Sequence, residues 1–261
     1  DYSGNVFAGT WGTIYRSTDD GANWEQVVVL ISGPTIPLVT ALIVNSRGFI
    51  FANADRIYRS TNNGFSWTQV SAGSFTANTF SADSSGDIFG GSNHAVYRSS
   101  DDGLTWMSSV VTSADAYVTT TAVNSTGSIF ASFQGTLGRG LFRSADKGVS
   151  WVKLNSGLFW VKNVQTLTID SVGNIFAGAE DGMFKSTNYG TTWLETGDSL
   201  KKTWITSVVI TTNGTIYAST MSNGIFRSTS GGAEWSKVFS LSASSLAANS
   251  LGHVFACRFS F

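Results

Sequence analysis

The sequence has little charge, little proline and almost no cysteine. Only 13% of its 261 residues are charged and the formal net charge is −1, so we expect no basic surface that recruits nucleic acid. Cys257 is the only cysteine, which excludes an internal disulfide and a cysteine-based zinc site. No apolar run approaches the ~20 residues that cross a bilayer as a helix, and we therefore expect no membrane insertion.

Helical periodicity and a leader segment are also missing. No stretch repeats its apolar residues every 3.6 positions, and 28 glycines interrupt the chain, which disfavours helices. The chain begins at Asp1 without Met or a signal-like segment, so we expect a processed or excised piece of a longer protein. The acidic pairs Asp19–Asp20 and Asp101–Asp102 lack the Glu at position 12 of a calcium loop. We expect no metal and no cofactor.

The chain does contain one eight-residue pattern, S-x-[D/N/S]-x-G-x-x-W, six times at spacings of 43, 39, 45, 42 and 42 residues. We call it the box. A Ser or Asp side chain can hold a tight turn by bonding backbone N–H groups, and Gly can take a positive φ. A repeat near ~40 residues is typical of a propeller or solenoid. The box positions are Ser17, Asp19, Gly21, Trp24; Ser60, Asn62, Gly64, Trp67; Ser99, Asp101, Gly103, Trp106; Ser144, Asp146, Gly148, Trp151; Ser186, Asn188, Gly190, Trp193; and Ser228, Gly232, Trp235.

A second repeated element, a small turn containing Gly followed by a short apolar strand, occurs seven times, and in five of the copies the turn reads Asn/Asp-Ser-x-Gly. Each repeat is therefore predicted to form strand A, the turn, strand B, a variable loop, strand C, the box and strand D. The prediction is a single all-β propeller over residues 1–261 with four-stranded antiparallel blades, six blades first and seven as the alternative. Residues 243–248 are predicted to join the first blade as its strand A. Residues 253–261 then form a surplus strand, which either begins a further blade or pairs outside the ring. We expect it to contact a neighbouring chain, as in self-association, or sequence beyond residues 1–261.

The box resembles the Asp-box (bacterial neuraminidase) repeat, and the resemblance covers nearly the whole chain. It implies a propeller with the box in the hairpin between strands C and D. The same box occurs in sialidases, xyloglucanases, sortilin-type receptors and photosystem II assembly propellers. The repeats are also similar to those of bacterial secreted propeller proteins, through runs such as I-F-A-G and R-S-T-D-x-G-x-x-W. Unrelated activities share the box, so it indicates the fold and leaves the function open.

Functional residues are expected on the face formed by the B–C loops and the D–A connections, because these segments differ most between repeats. We call it the loop face. Its aromatic residues are candidates for stacking on a sugar or gripping a peptide; the alternative is that they only cover the tops of the blades. The candidate ligand-binding residues are Trp11, Arg56, His94, Tyr117, Phe133, Trp160, Glu180, Asp181 and Trp204.

Two functions follow from these observations. The favoured one is a non-enzymatic propeller, secreted or on the cell surface, that binds a protein or glycan or serves as an assembly unit. The alternative is a glycoside hydrolase related to the sialidases or xyloglucanases. The sialidase F-R-I-P motif is absent, and the adjacent Glu180 and Asp181 would point to opposite sides of a strand. We therefore predict no catalytic residue and no enzymatic activity.

Overall fold

The computed structural model describes residues 1, 3–29, 36–70, 75–112, 115–136, 138–154 and 163–258. These residues form 25 β-strands and one short 3₁₀ turn, Asp198–Leu200. Strands dominate because the repeats combine β-branched and aromatic residues with Gly-containing turns at short intervals.

The strands form successive antiparallel sheets in chain order. Sheet 1 contains β1 (Val6–Gly9), β2 (Thr13–Ser17) and β3 (Glu25–Val29). Sheet 2 contains β4 (Ala41–Val44), β5 (Ile50–Asn53), β6 (Ile57–Ser60) and β7 (Thr68–Gln69). Sheet 3 contains β8 (Thr79–Ala82), β9 (Ile88–Gly91), β10 (Ala95–Ser99) and β11 (Met107–Val110). Sheet 4 contains β12 (Tyr117–Val123), β13 (Ile129–Gln134), β14 (Gly140–Ser144) and β15 (Val152–Leu154).

Three sheets complete the chain. Sheet 5 contains β16 (Val164–Ile169), β17 (Ile175–Ala179), β18 (Gly182–Ser186) and β19 (Leu194–Thr196). Sheet 6 contains β20 (Ile205–Ile210), β21 (Ile216–Thr220), β22 (Ile225–Ser228) and β23 (Ser236–Phe239). Sheet 7 has only β24 (Ser245–Ala248) and β25 (Val254–Cys257).

This arrangement confirms the predicted all-β propeller with six box-bearing blades, formed by sheets 1 to 6. The inner strands β4, β8, β12, β16, β20 and β24 contact one another in that order, as strands around a common axis do. Each box joins the last two strands of its blade, in the place predicted from the repeat.

The chain end differs from the predicted closure. β24 pairs with β25, and in the described part of the chain β1 has a ladder with β2 alone. The physical reason is local: Asn249 Oδ1 accepts the N–H groups of Leu251 and His253 at 3.1 and 2.9 Å. This turn joins β24 to β25 through a short loop. Pairing of β24 with β1 would instead close a loop of nearly the whole chain, which costs more conformational entropy. Self-association through 253–261 stays a prediction, and residues 259–261 lie outside the described part.

Packing, rather than a shared strand, connects sheet 7 to the first blade. A methyl group on Gly21 would lie 3.1 Å from the Phe255 ring, as one on Gly232 would from Phe176. The central Phe of a strand B thus lies under the box glycine of the following blade at Gly21, Gly64, Gly103, Gly190 and Gly232, but not at Gly148. Phe51, Phe89, Phe130 and Phe176 are fully buried, and each contributes about 1.5–3 kcal/mol through burial. Sheet 7 uses the same contact and sits between blade 6 and blade 1.

Candidate functional site

The six boxes share one hydrogen-bond pattern centred on the buried first Ser. Its hydroxyl oxygen accepts the box Gly N–H at 2.8–3.0 Å in every copy. In five copies the hydroxyl donates to the side-chain oxygen of the third residue at 2.7–3.0 Å. That oxygen also accepts the N–H of the seventh residue, for example Ser150 at 2.9 Å. The third residue therefore closes the turn.

The remaining positions of the box complete the hairpin. The fourth residue has φ between 53° and 63°, and the Gly after it has φ between 80° and 91°, a conformation that Gly adopts with little strain. The Trp ring N–H donates to the Gly carbonyl at 2.9–3.0 Å in five copies. In the fourth copy, Trp151 donates to the Ser109 hydroxyl at 3.0 Å.

The box carboxylates are held ionised by these donors. The Ser150 hydroxyl and N–H, with the Ser144 hydroxyl, lower the pKa of Asp146 to about 2. Bonds from the Asn23 backbone and side chain lower the pKa of Asp19. The carboxylates face donors of their own turn, and Asn fills the same role at positions 62 and 188. The geometry of the boxes is that of a structural turn.

Three of the six cations that precede a box connect neighbouring blades through the same hydrogen bond. Arg16, Arg59 and Lys185 donate to the carbonyl of the fourth box residue of the following blade, at 2.8, 2.7 and 2.9 Å. Arg98 departs from the pattern, because Lys147 occupies that position in the next box. Arg98 and Lys147 instead both bond Asp87, at 2.7 and 3.0 Å. These cations lie one per interface and do not converge on one ligand.

On the loop face, backbone bonds join the B–C loops of blades 1, 3 and 5 to the connections that follow them. The His94 N–H donates to Ala116 O at 2.7 Å, beside Tyr117. The Lys202 N–H donates to Asp181 O at 2.8 Å, and Trp11 bridges to Leu38. The candidates are therefore spread around the ring. Two neighbouring groups form, His94 with Tyr117 and Asp181 with the segment leading to Trp204.

The predicted ligand-binding residues differ widely in accessibility. Trp11, Tyr117 and Trp204 are 65, 42 and 39% exposed, and Arg56 is exposed as well. The prediction that Phe133 binds a ligand on the loop face is wrong. Phe133 is 1% exposed and packs edge-on against Phe142, because β13 continues past the point where shorter B strands end. Trp160 lies outside the described residues.

The acidic pair in the fifth blade has partners of its own. Glu180 is half-buried and its Oε1 accepts the Asn163 side-chain N–H at 2.8 Å. Asp181 is also half-buried and accepts the Lys202 N–H through its backbone carbonyl. Within the described ranges, no three His, Cys, Asp or Glu side chains lie close enough to hold a metal ion. Nor does any helix in that part of the chain have the length and apolarity to cross a membrane.

A cavity on the loop face of blade 6 contains residues that the sequence did not single out as candidates. Its volume is about 450 Å³. Met221 and Leu241, at its rim, are 60 and 54% exposed, and the Met221 N–H donates to Trp204 O at 2.9 Å. Arg258, directly after β25, is the one charged residue among the described residues of the lining. The lining consists of Thr206, Met221, Ser222, Ser240, Leu241, Ser242, Ala243, Ser244 and Arg258. The only sequence signal was the serine-rich run between β23 and β24.

Comparison with known proteins shows the fold alone. No family model and no curated protein sequence matches the chain. Virginiamycin B lyase from Staphylococcus aureus has a TM-score of 0.77 at 15% identity, covering 99% of this chain and 89% of that one. YCF48 bound to D1 peptide has a TM-score of 0.68 at 15% identity, covering 89% and 78%. The GH74 enzyme of Niastella koreensis has a TM-score of 0.61 at 20% identity, covering 91% of this chain but only 38% of the enzyme.

Proposed function

We propose that this chain is a non-enzymatic binding propeller that takes a polypeptide on its loop face, at the cavity beside Met221, Leu241 and Arg258. The observation that carries the proposal is the exposure of large apolar side chains around that cavity. Exposed apolar residues grouped at a concave site are typical of recognition surfaces. YCF48, a propeller of the same fold, is known bound to a peptide.

The chemistry of the lining favours a polypeptide over a glycan. Met221 and Leu241 are flexible apolar side chains that suit the apolar side chains of a peptide, and Arg258 suits an acidic one. The serine hydroxyls of the lining already have partners within the protein: Ser242 Oγ accepts the Gly224 N–H, and the Ser244 hydroxyl donates to Cys257 O. Trp204 does not line the cavity, but it is 39% exposed and its backbone carbonyl accepts the N–H of the lining residue Met221.

The repeat and the location belong to the same proposal. We infer that the boxes are Asp-boxes, because their hydrogen-bond geometry explains each of the four defining positions. We further place the protein outside the cell or on its surface. Low charge and many hydroxyl residues support that location, and so does the resemblance of the repeats to those of secreted propellers.

A peptide array and a glycan array probed with the same purified chain test the function. We expect peptides whose binding falls at least tenfold in Leu241→Ser and Trp204→Ala. The matched control is Val172→Ser, a strongly exposed apolar residue in an A–B turn of the opposite face, and binding should not change there.

Two results would contradict the proposal. Binding that depends equally on Val172 would mean nonspecific adhesion. Turnover of a polysaccharide that is lost in Glu180→Gln would support the glycoside hydrolase alternative instead.

A further inference from the structure

The outer strand of each box-bearing blade has an open edge. Strand D ends its sheet and, in the described part of the chain, has a ladder with strand C alone. The free edge of a sheet presents backbone N–H and C=O groups that can pair with a strand of another chain. Proteins commonly protect such edges with charged side chains, so the charges of the outer strands indicate which edge is unprotected.

The outer strand of blade 3, β11, differs from the others in charge. In blades 4 to 6, the strand D residue that pairs with the central aromatic residue of strand C is Lys or Glu. The residues at this position, in blade order, are Gln26, Gln69, Ser108, Lys153, Glu195 and Lys237. β3 has a charge next to it, at Glu25, and β7 is only two residues long. Of the described outer strands with three or more residues, β11 alone has no charged side chain.

Exposed apolar side chains surround β11. Met107 and Val110, at the two ends of the strand, are 74 and 66% exposed. The sixth residue of the box, in the hairpin that leads into strand D, is large, apolar and exposed in blades 2 to 4, as Phe65, Leu104 and Val149. Blades 1, 5 and 6 have Ala22, Thr191 and Ala233 at that position. We define the rim patch as Phe65, Leu104, Met107, Val110 and Val149.

We propose that the chain forms a two-fold symmetric dimer in which β11 pairs with β11 of a second copy. An antiparallel pairing about a two-fold axis joins the third blades of the two copies into one eight-stranded sheet. An uncharged strand suits a copy of itself, because the pairing brings no like charges together. The Lys or Glu of β15, β19 and β23 would meet its own copy in the same arrangement.

The rim patch provides contact beyond the paired strands. A stable interface buries about 800 Å² per partner, which is more than a four-residue strand offers. The patch extends to both sides of β11, with Phe65 in blade 2 and Val149 in blade 4, so a symmetric partner centred on β11 covers apolar surface on each side. The loop-face cavity belongs to blade 6, three blades away, and the dimer does not depend on what that cavity binds.

Sedimentation velocity over a dilution series of the purified chain tests the proposal. We expect a reversible monomer–dimer equilibrium, and slower hydrogen exchange over residues 107–110 at concentrations where the dimer forms. Ser108→Lys introduces a charge at the position that is charged in blades 4 to 6, and should weaken dimerisation by about tenfold or more. Gln26→Lys makes a matched change at the equivalent, exposed position of blade 1, and should leave the dimer dissociation constant within about twofold.

A second pair of variants tests the apolar contact. Met107 and Leu194 both follow a box Trp directly and are 74 and 75% exposed, but Leu194 lies in blade 5, two blades from β11. Met107→Ser should weaken dimerisation by about fivefold or more, whereas Leu194→Ser should leave it unchanged. All four substituted side chains are exposed, so urea unfolding should show that each variant keeps the stability of the wild type to within about 0.5 kcal/mol.

Several results would overturn the proposal. They are a chain that stays monomeric over the whole dilution series, a dimer that Ser108→Lys leaves intact, or equal effects of the two variants in either pair. A dimer that persists in Ser108→Lys and protects residues 254–257 from exchange would place self-association on β25 instead.

Discussion

The face that carries the boxes repeats one hydrogen-bond pattern in every blade, whereas the loop face changes from blade to blade. On the box face, each first Ser is buried and bonded to its Gly N–H. On the loop face, Trp11, Trp204, Met221 and Leu241 are exposed. The difference indicates a division between box turns that bond their own polar groups and a surface whose side chains remain accessible to a partner.

The largest expected effect compares two tryptophans, one from each face. Trp193 is 5% exposed, and its ring N–H donates to Gly190 O at 2.9 Å. Trp193→Ala removes a large buried ring and should lower the free energy of unfolding by about 3–5 kcal/mol. Trp11→Ala, at a residue that is 65% exposed, should cost about 1 kcal/mol or less. Urea unfolding measures the free energy of unfolding of both variants. Equal losses in the two variants would contradict the prediction that the two faces differ.

A smaller effect is expected from one hydroxyl of the box. The buried Ser186 accepts the Gly190 N–H at 2.9 Å and donates to Asn188 Oδ1 at 3.0 Å. Ser186→Ala leaves that buried N–H without a partner and should cost about 1–3 kcal/mol. Ser222→Ala, at an exposed serine of the loop face, is the control and should change stability by less than about 0.5 kcal/mol. Urea midpoints of the two variants that coincide would contradict the prediction.

The structure of the box face could be predicted from the sequence. Six boxes in register implied the blades and the hairpins, because Ser, Asp or Asn, and Gly have local conformational preferences that each turn expresses by itself. The exposure of Trp11 and Trp204 also followed from their place in variable connections.

The rest depends on contacts between distant segments. Seven similar strand-B elements do not reveal which inner strand each will join, so β24 was predicted to join β1, whereas it pairs with β25. Phe133 was wrongly assigned to the loop face. It belongs to β13, which extends to Gln134, whereas strands such as β5 end earlier in the repeat. The cavity beside Met221 requires Arg258, which reaches it only through the position of sheet 7.

The smallest expected effect is a loss of folding stability at low pH that arises from the box face. The Ser150 and Ser144 donors lower the pKa of Asp146 from 3.8 to about 2. Since the folded-state pKa is the lower one, the ionised carboxylate stabilises the fold above pH 4, and this contribution is lost as the pH falls towards 2. Urea unfolding at a series of pH values between 7 and 2 measures the loss.

The variants Asp146→Asn and Asn188→Asp make this dependence specific to one side chain. Asn occupies the equivalent position of two boxes with the same bonds to the first and seventh residues, so Asp146→Asn should preserve the turn while making stability fall less steeply between pH 4 and 2. Asn188→Asp should make the fall steeper, because the Thr192 N–H at 2.9 Å would then stabilise a charge. Parallel pH profiles for the wild type and both variants would show that the box carboxylates act only as acceptors, whether ionised or neutral.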